Sequence, residues 1–225
     1  MTVDGSRRVC APTSFVSAGT KAYRSCAASG DKAGGWHDMA RGTIFVVVGP
    51  SGAGKDSVMN HACLNVKGDG NLRFVRRYIT RPKEAGGEDH HPVDHAGFSE
   101  LAASGKLALH WQAHGLFYGI PSDTLEDLEA GKVLIVNGSR AALPVFRDVY
   151  GDCLKVVLVT APRELLAERL AARGRESAES ILKRLERSGE LGDESIADFV
   201  ICNDGAIGDA GARFTEFMRA CLATA

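Results

Sequence analysis

The sequence predicts an α/β fold in which a parallel sheet is covered by helices on both faces. Apolar, β-branched runs of strand length alternate along the chain with segments of helical periodicity, which is typical of parallel sheets. The first such run, residues 43–48, leads directly into a glycine-rich turn and then a helix. The 225 residues are enough for one core of this kind and an appendage.

The predicted elements follow from apolar runs, turn residues and helix-start signals. Strands are expected at 43–48, 72–80, 107–113, 116–120, 133–136, 154–160 and 199–202. Helices are expected from Lys55 to about Leu64, from Ser99, from Pro121 to Gly131, from Ser139, from Arg163 to Arg173, from Ser177 to Arg187 and near Ile207–Leu222. The polar segment 83–94 contains three Gly or Pro residues and is expected to be a loop.

Residues 1–41 differ from the remainder in composition. They are rich in Ala, Ser and Gly and lack hydrophobic periodicity and any sustained strand pattern. They also lack the apolar segment of a signal peptide, and their Asp residues are not typical of a transit peptide. We expect a disordered or loosely attached extension over 1–41 and a single domain over 42–225.

The overall charge and the cysteines exclude several classes of protein. With 27 basic and 28 acidic residues the formal net charge is −1, which does not indicate a nucleic-acid partner. No apolar run approaches the roughly 20 residues of a membrane span. The six cysteines are scattered without a C-x-x-C pair, as is typical of thiols in a reducing compartment. We expect a cytoplasmic monomer or homodimer whose partner is a small molecule.

The glycine-rich turn has the pattern of a phosphate-binding loop, or P-loop. It consists of Gly49, Pro50, Ser51, Gly52, Ala53, Gly54, Lys55, Asp56 and Ser57. Glycines allow backbone N–H groups to converge on phosphate oxygens, and the helix N-terminus and Lys55 add positive charge. The alternative is a glycine turn with a chance lysine, which the flanking strand and helix disfavour. Asp56 stands where the motif has the Ser or Thr that contacts magnesium, and Ser57 comes one position late.

Five segments together resemble the guanylate kinase branch of the nucleoside-monophosphate kinases, over about residues 43–222. They are the P-loop, Y-I-T-R-P (78–82), H-G-L-F-Y-G-I-P (114–121), the charged stretch from Arg173 to Arg184, and F-V-I-C-N-D (199–204). The resemblance implies a P-loop kinase fold with a small acceptor-binding subdomain at about 78–121 and a helical lid at about 173–190.

The chain departs from guanylate kinases at the base-binding positions. Aligned on Tyr118, the acidic residue that guanylate kinases use to bind guanine falls on Leu109, and a small hydroxyl residue falls on Ile120. An isobutyl group cannot accept hydrogen bonds from guanine, whose donors would be left buried and unpaired. We therefore expect an anionic acceptor that lacks a purine base.

A closer resemblance is to the ribose 1,5-bisphosphate phosphokinases, which are relatives of the guanylate kinases. The matching segments are G-P-S-G-A-G-K-D-S (49–57), R-Y-I-T-R-P (77–82), A-G-G-E-D-H (85–90), A-L-H-W-Q-A-H-G-L-F-Y-G-I (108–120), V-N-G-S-R (136–140) and A-R-G-R-E-S (172–177). This resemblance implies an ATP- and Mg²⁺-dependent enzyme of phosphonate breakdown. Its reaction would move the γ-phosphoryl group of ATP onto the 1-phosphate of ribose 1,5-bisphosphate, giving 5-phospho-α-D-ribose 1-diphosphate and ADP.

On the ATP side, the resemblance assigns Lys55 to the β- and γ-phosphates and places Asn203 near the adenine. Arg173 and Arg184 would close over the transferred phosphoryl group and exclude water. Solvated charges on a helical hairpin are the alternative for these two arginines.

Asp56 prompts a separate hypothesis about magnesium. Guanylate kinases carry an Asp on the strand at 133–136, and Ile135 stands in its place here. Asp56 would restore the acidic contact to Mg²⁺, directly or through water, with Ser57 as a further candidate ligand. The alternative is that Asp56 only stabilises the first helical turn.

On the acceptor side, Arg81 and Tyr118 are expected to hold a phosphate group. Arg77 is either a further phosphate contact or a surface arginine at a strand end. His90 is expected to contact phosphate or a hydroxyl group, because the histidines of its loop lack a recognised zinc-ligand spacing.

Two further candidates follow the strand at 133–136. Asn137 and Arg140 lie where open α/β sheets bind their ligands, at the carboxyl end of a parallel strand. Contacts to ribose hydroxyls or phosphate are expected, and pinning of the loop is the alternative for Asn137. Trp111 is expected in the core.

Two rival functions remain open on the sequence. A guanylate kinase with altered base contacts is disfavoured by Leu109 and Ile120. A non-catalytic guanylate-kinase-like module that binds proteins is disfavoured because Lys55, Arg173 and Arg184 are all present.

Overall fold

A computed structural model describes residues 16–18, 41–65, 71–85, 88–172 and 194–223. The strands are β1 (Val16–Ala18), β2 (Thr43–Val48), β3 (Leu72–Phe74), β4 (Tyr78–Ile79), β5 (His91–Pro92), β6 (Leu107–Ala113), β7 (Leu116–Pro121), β8 (Val133–Asn137), β9 (Leu154–Thr160) and β10 (Phe199–Cys202). The helices are α1 (Lys55–Asn65), α2 (His95–Ala103), α3 (Asp123–Glu129), α4 (Leu143–Tyr150), α5 (Arg163–Ala172) and α6 (Ile207–Ala223).

The central sheet contains five strands in the order β10-β9-β2-β8-β3, all parallel to their neighbours. All six residues of β2 are buried, as expected for the middle strand of a covered parallel sheet. The carboxyl end of β2 therefore lies at the centre of one sheet edge, where it continues into the P-loop.

The alternation of side chains along β2 divides the core into two layers. Ile44, Val46 and Val48 pack in one cluster with Phe146 and Tyr150 of α4. On the opposite face, Phe45 and Val47 pack with buried side chains of α1, α5 and α6. The predicted parallel sheet with helices on both faces is thus confirmed.

A second, mixed sheet has the strand order β1-β6-β7-β4-β5 and forms the region predicted to bind the acceptor. The single strand predicted at 72–80 is wrong, because this segment is divided between the two sheets. Phe74 pairs with Ile135 in the central sheet, whereas Tyr78 pairs with Gly119 in the second sheet. Val75 still donates its N–H to Ile135, so the chain leaves the central sheet just after this residue.

Three other predictions needed correction. Val16–Ala18 pairs antiparallel with β6, so the expected extension contains a strand that its composition did not indicate. Helix α2 begins at His95 rather than Ser99, because the Asp94 side chain accepts a hydrogen bond from the Gly97 N–H at 2.7 Å and caps the helix. The expected loop at 83–94 contains a 3₁₀ turn and the short strand β5.

Within the described residues, the other predicted elements lie within one or two residues of their expected bounds, except that a 3₁₀ turn at Arg140–Ala142 precedes α4. Two further 3₁₀ turns, Gly151–Cys153 and Glu194–Ile196, were not predicted. The predicted lid at 173–190 lies outside the described residues. Among the helices that the model describes, none is both long and apolar enough to span a bilayer.

Candidate active site

The P-loop is shaped by three glycines with positive φ angles. Gly49, Gly52 and Gly54 have φ values of +147°, +90° and +84°, which L-residues with a Cβ rarely adopt. A Cβ at Gly49 would lie 2.0 Å from the carbonyl oxygen of Val159, so the loop also needs glycine there for space. The turn leads into α1, whose first hydrogen bond runs from the Val58 N–H to the Gly54 carbonyl at 2.9 Å. The N-terminus of α1 therefore opens on this loop and favours bound anions.

Lys55 folds back over the loop. Its Nζ donates to the carbonyl oxygens of Gly49 and Pro50, both at 3.0 Å. The ammonium group thus lies against the turn of the P-loop. Ser57 is exposed at the start of α1.

Asn203, which directly follows β10, supports the P-loop. Its Nδ2 donates to the carbonyl oxygen of Ala53 at 2.8 Å, and its backbone N–H donates to Thr160 at 2.8 Å. The residue is buried. A Cβ at Gly54 would lie 2.4 Å from Asn203 Nδ2, so the amide packs directly against the loop. The structure therefore gives Asn203 a positioning role for the P-loop, beside the predicted adenine contact.

Asp56 and Asn137 meet at the carboxyl edge of the central sheet. Asn137 ends β8, and its Nδ2 donates to Asp56 Oδ1 at 2.9 Å. The same Nδ2 also donates to Glu88 Oε2 at 2.9 Å. The carboxylate of Asp56 thus lies beside the strand end, while Ile135 is buried in the core. These two bonds agree with the reading in which Asn137 pins the loop, and a substrate contact of Asn137 stays a prediction.

Arg77 is buried within the second sheet, where its partners are other side chains of the protein. These contacts do not support the predicted contact with phosphate, which stays a prediction. The Arg77 side chain is buried and makes an ion pair with Glu88, to which both Nε and Nη2 donate. The guanidinium carbon lies 4.9 Å from the centre of the Tyr118 ring and 5.5 Å from that of Trp111. A buried arginine that is neutralised in this way supports the aromatic rings.

His90 is buried against the backbone of its loop, and its predicted contact with phosphate or a hydroxyl group stays a prediction. It is 2% exposed, and its ring nitrogens lie 3.0 Å from the carbonyl oxygens of Glu88 and Arg81. These contacts fix the backbone on both sides of the loop.

Arg81 remains the best candidate for an anion contact on the second sheet. It is half-buried, and its Nε has no hydrogen-bond partner among the described residues. No carboxylate in the described ranges lies within salt-bridge distance of it. A partly desolvated guanidinium with an unsatisfied donor is suited to a phosphate group.

Tyr118 and Arg140 are the two other candidates for contact with the acceptor. The half-buried Tyr118 ring stacks on Trp111, with centroids 5.3 Å apart and planes 10° apart. Trp111 is 2% exposed, which confirms its prediction as a core residue. Arg140 begins the 3₁₀ turn after β8, and burial lowers the pKa of its guanidinium. Desolvation of this kind favours binding of a counter-anion.

Leu109 and Ile120 are completely buried and pair across β6 and β7. Both belong to the core cluster that also contains Trp111. The positions that the resemblance aligns with guanine contacts are therefore packed and apolar.

The sequence analysis missed Glu88, although it lies in the segment A-G-G-E-D-H that carried the resemblance. Its importance depends on contacts to Arg77 and Asn137, which are 11 and 49 positions away. Arg173 and Arg184 lie outside the described residues. Within the described part of the chain, no group of three or more His, Cys, Asp or Glu side chains could hold a metal ion by itself.

Comparison with known proteins relates this geometry to one family. The family model for guanylate kinase matches residues 41–221. Ribose 1,5-bisphosphate phosphokinase PhnN of Agrobacterium fabrum is 47% identical over 178 residues, which are 78% of this chain and 96% of that protein. A protein of the same name from Brucella melitensis is 45% identical over 80% of this chain and 94% of its own length. The crystal structure of guanylate kinase from Anaplasma phagocytophilum has a TM-score of 0.64 at 22% identity, covering 80% of this chain and 86% of that chain, so it supports the fold alone.

Proposed function

Because the chain belongs to the guanylate kinase family, and within it to the ribose 1,5-bisphosphate phosphokinases, we propose that it transfers the γ-phosphoryl group of ATP to the 1-phosphate of ribose 1,5-bisphosphate. The products are 5-phospho-α-D-ribose 1-diphosphate and ADP. The domain that does this is residues 42–225, with the acceptor subdomain at about 78–121 and the lid at about 173–190.

The choice of acceptor rests on Leu109 and Ile120, which are fully buried and pair across β6 and β7. A purine base needs hydrogen-bonding partners in its pocket, and neither side chain supplies one. Arg81, by contrast, offers a guanidinium donor without an ion-pair partner in the described ranges. An acceptor with phosphate groups and no base fits this arrangement.

The donor site is formed by the P-loop backbone and Lys55. Phosphoryl transfer requires mainly the positioning of phosphates and the stabilisation of charge on the transferred group. The N-terminus of α1 and the Lys55 ammonium group provide both, and Asn203 holds the loop in shape. Arg173 and Arg184 complete this account as lid residues that contact the transferred group and exclude water.

Magnesium is the expected cofactor of this donor site. Bound with ATP, it would neutralise charge on the β- and γ-phosphates. Asp56 lies on the first turn of α1, where its carboxylate fits an ion that takes its other oxygens from phosphate and water. Asp56 and Ser57 are therefore the residues that would hold it.

The acceptor is held in this proposal by Arg81, Tyr118 and Arg140. Arg81 binds a phosphate group as a forked donor, and the Tyr118 hydroxyl adds a single donor. Arg140 approaches from the end of β8, on the side of the donor site. In this proposal the acceptor phosphate lies between Arg81 and Tyr118 on one side and Arg140 on the other.

The remaining parts of the proposal concern the setting of the enzyme. Cys63 and Cys202 are free thiols, which supports a reducing compartment such as the cytoplasm. The partner is the small sugar phosphate and not nucleic acid, and the active species is a monomer or a homodimer.

Product identification by ³¹P nuclear magnetic resonance tests the proposed reaction. Ribose 1,5-bisphosphate and Mg-ATP should give ADP together with a new sugar-bound diphosphate signal. The Lys55→Met variant should lose this product while remaining folded. ADP formed with inorganic phosphate, and without the new diphosphate, would contradict the proposal.

A further inference from the structure

Four polar side chains form a continuous path from the P-loop to the aromatic rings of the second sheet. Asp56 accepts from Asn137, Asn137 also donates to Glu88, and Glu88 accepts from Arg77. The two bonds made by the Asn137 amide are both 2.9 Å long. We define these four residues, Asp56, Asn137, Glu88 and Arg77, as the relay.

Asn137 has the right chemistry for the middle of the relay. Its amide nitrogen has two N–H donors, and it lies between two carboxylates that come from different parts of the chain. A carboxylate at this position would place three negative groups together. An apolar side chain would leave Asp56 and Glu88 without this donor.

Glu88 divides its two oxygens between the two ends of the relay. Oε1 accepts from Arg77 Nε at 3.1 Å and also from Arg77 Nη2, whereas Oε2 accepts from Asn137 at 2.9 Å. The side chains of Arg77 and Glu88 are 8% and 13% exposed, so water screens this pair little. Removing either partner would leave the other charge buried.

Arg77 carries the relay to the aromatic rings. Its guanidinium carbon lies 4.9 Å from the centre of the Tyr118 ring, which itself stacks on Trp111. Glu88 accepts hydrogen bonds from Nε and Nη2 of the same guanidinium. The orientation of Arg77, and with it the support of Tyr118, therefore depends on Glu88.

We propose that Glu88 is a positioning residue, which sets the acceptor site in register with the P-loop through Asn137 and orients Arg77 behind Tyr118. In-line transfer requires the acceptor and donor phosphates to be placed within a fraction of an ångström, so a link between their two binding elements has a direct use. This inference rests on the proposed function for the identity of the acceptor.

A neighbouring ion pair provides a matched control. Asp89 accepts from Arg76 at 2.9 Å, and its side chain is 71% exposed. Glu88→Gln and Asp89→Asn therefore make the same chemical change at adjacent positions. Only the first change affects the relay, because glutamine has one acceptor oxygen where Glu88 uses two.

The test measures the Michaelis constants of both substrates and the thermal unfolding of the nucleotide-free protein. Glu88→Gln should raise the acceptor KM about tenfold or more and the ATP KM much less, since Glu88 reaches the P-loop only through Asn137. Asp89→Asn should leave both constants within about twofold of the wild-type values. Glu88→Asp, which keeps the charge, should recover part of the loss.

A double-mutant cycle with Glu88→Ala and Asn137→Ala checks the connection itself. The two changes should be non-additive in the unfolding temperature of the nucleotide-free protein and in the acceptor KM. Kinetic constants of Glu88→Gln equal to those of Asp89→Asn, or additive effects in the cycle, would overturn the proposal. If the wild-type chain uses GMP as acceptor, only the proposed function fails, and the same comparison is then made with GMP.

Discussion

Leu109 and Ile120 lie opposite each other on β6 and β7, and neither side chain exposes any surface. In the alignment with guanylate kinases, these two positions carry the side chains that bind guanine. Here both side chains pack in the hydrophobic core. In the proposed function, the loss of base recognition thus comes from side chains that are packed in the core. A single exchange of side chains would not reverse it.

Leu109→Glu should destabilise the protein without creating a guanylate kinase. The change removes a buried apolar side chain and introduces a carboxylate without a partner, which together cost about 3 kcal/mol or more. Chemical denaturation measures the loss, and Leu109→Met serves as the control with a cost below about 1.5 kcal/mol. A stable Leu109→Glu variant that phosphorylates GMP would show that the site is open.

Asn203→Ala should weaken ATP binding through the P-loop. The variant leaves the buried carbonyl oxygen of Ala53 without its donor, a loss of about 1–3 kcal/mol. We expect the KM for ATP to rise about tenfold, while the acceptor KM stays within about twofold. Steady-state kinetics with each substrate varied provides the measurement, and the exposed neighbour Asp204 supplies the control as Asp204→Asn. An equal rise in both constants would point to general misfolding instead.

Asp56→Ala should raise the magnesium concentration needed for half-maximal activity much more than it raises the KM for ATP. Asp56→Asn separates the two roles of this side chain, because asparagine can still accept the hydrogen bond from Asn137 but carries no charge. If the charge serves Mg²⁺, both variants should show the raised requirement in a magnesium titration at saturating ATP. Unchanged magnesium dependence in both would leave Asp56 with its helix and relay contacts alone.

His110 should make stability depend on pH just below neutrality. Burial lowers the pKa of the half-buried His110 imidazole from its usual value near 6.5. The unfolded chain therefore binds a proton on His110 more readily than the folded protein does. The contribution of neutral His110 to the free energy of unfolding is complete above pH 6.5, and it is lost as the pH falls from there through the lowered pKa. Denaturation between pH 7.5 and about 5 should show a smaller decrease for His110→Gln than for the wild type. Parallel curves would contradict this assignment.

The sequence predicted the middle strands of the central sheet well because β2, β8 and β9 are contiguous, mostly buried runs. Residues 43–48 and 154–160 match β2 and β9 to the residue, since local apolar pattern and tertiary burial agree there. The sequence could not show that the segment 72–80 is divided between two sheets. Both halves are extended, and only the partners at Ile135 and Gly119 show that they belong to different sheets.

The association of the P-loop residues could be predicted from the sequence because these residues are neighbours in the chain. The P-loop glycines, Lys55 and Asp56 are contiguous, so their spacing alone indicated their association. Arg77 and His90 lie next to a ligand segment, so the sequence favoured a substrate contact for each, but it could not show the protein partners of these two side chains. The Glu88 carboxylate binds Arg77, and the backbone carbonyl oxygens of Glu88 and Arg81 lie beside the His90 ring nitrogens. These contacts depend on the folded loop.

Acceptor choice is the central claim, and a coupled ADP-release assay with Mg-ATP tests it most directly. Ribose 1,5-bisphosphate and GMP are compared at equal enzyme concentration, and kcat/KM is determined for each. The account predicts turnover with the sugar bisphosphate and a kcat/KM for GMP lower by about a factor of 10⁴, as for a site that lacks the partners of a polar substrate. Efficient phosphorylation of GMP would contradict it, and would mean that the base is bound elsewhere than at Leu109 and Ile120.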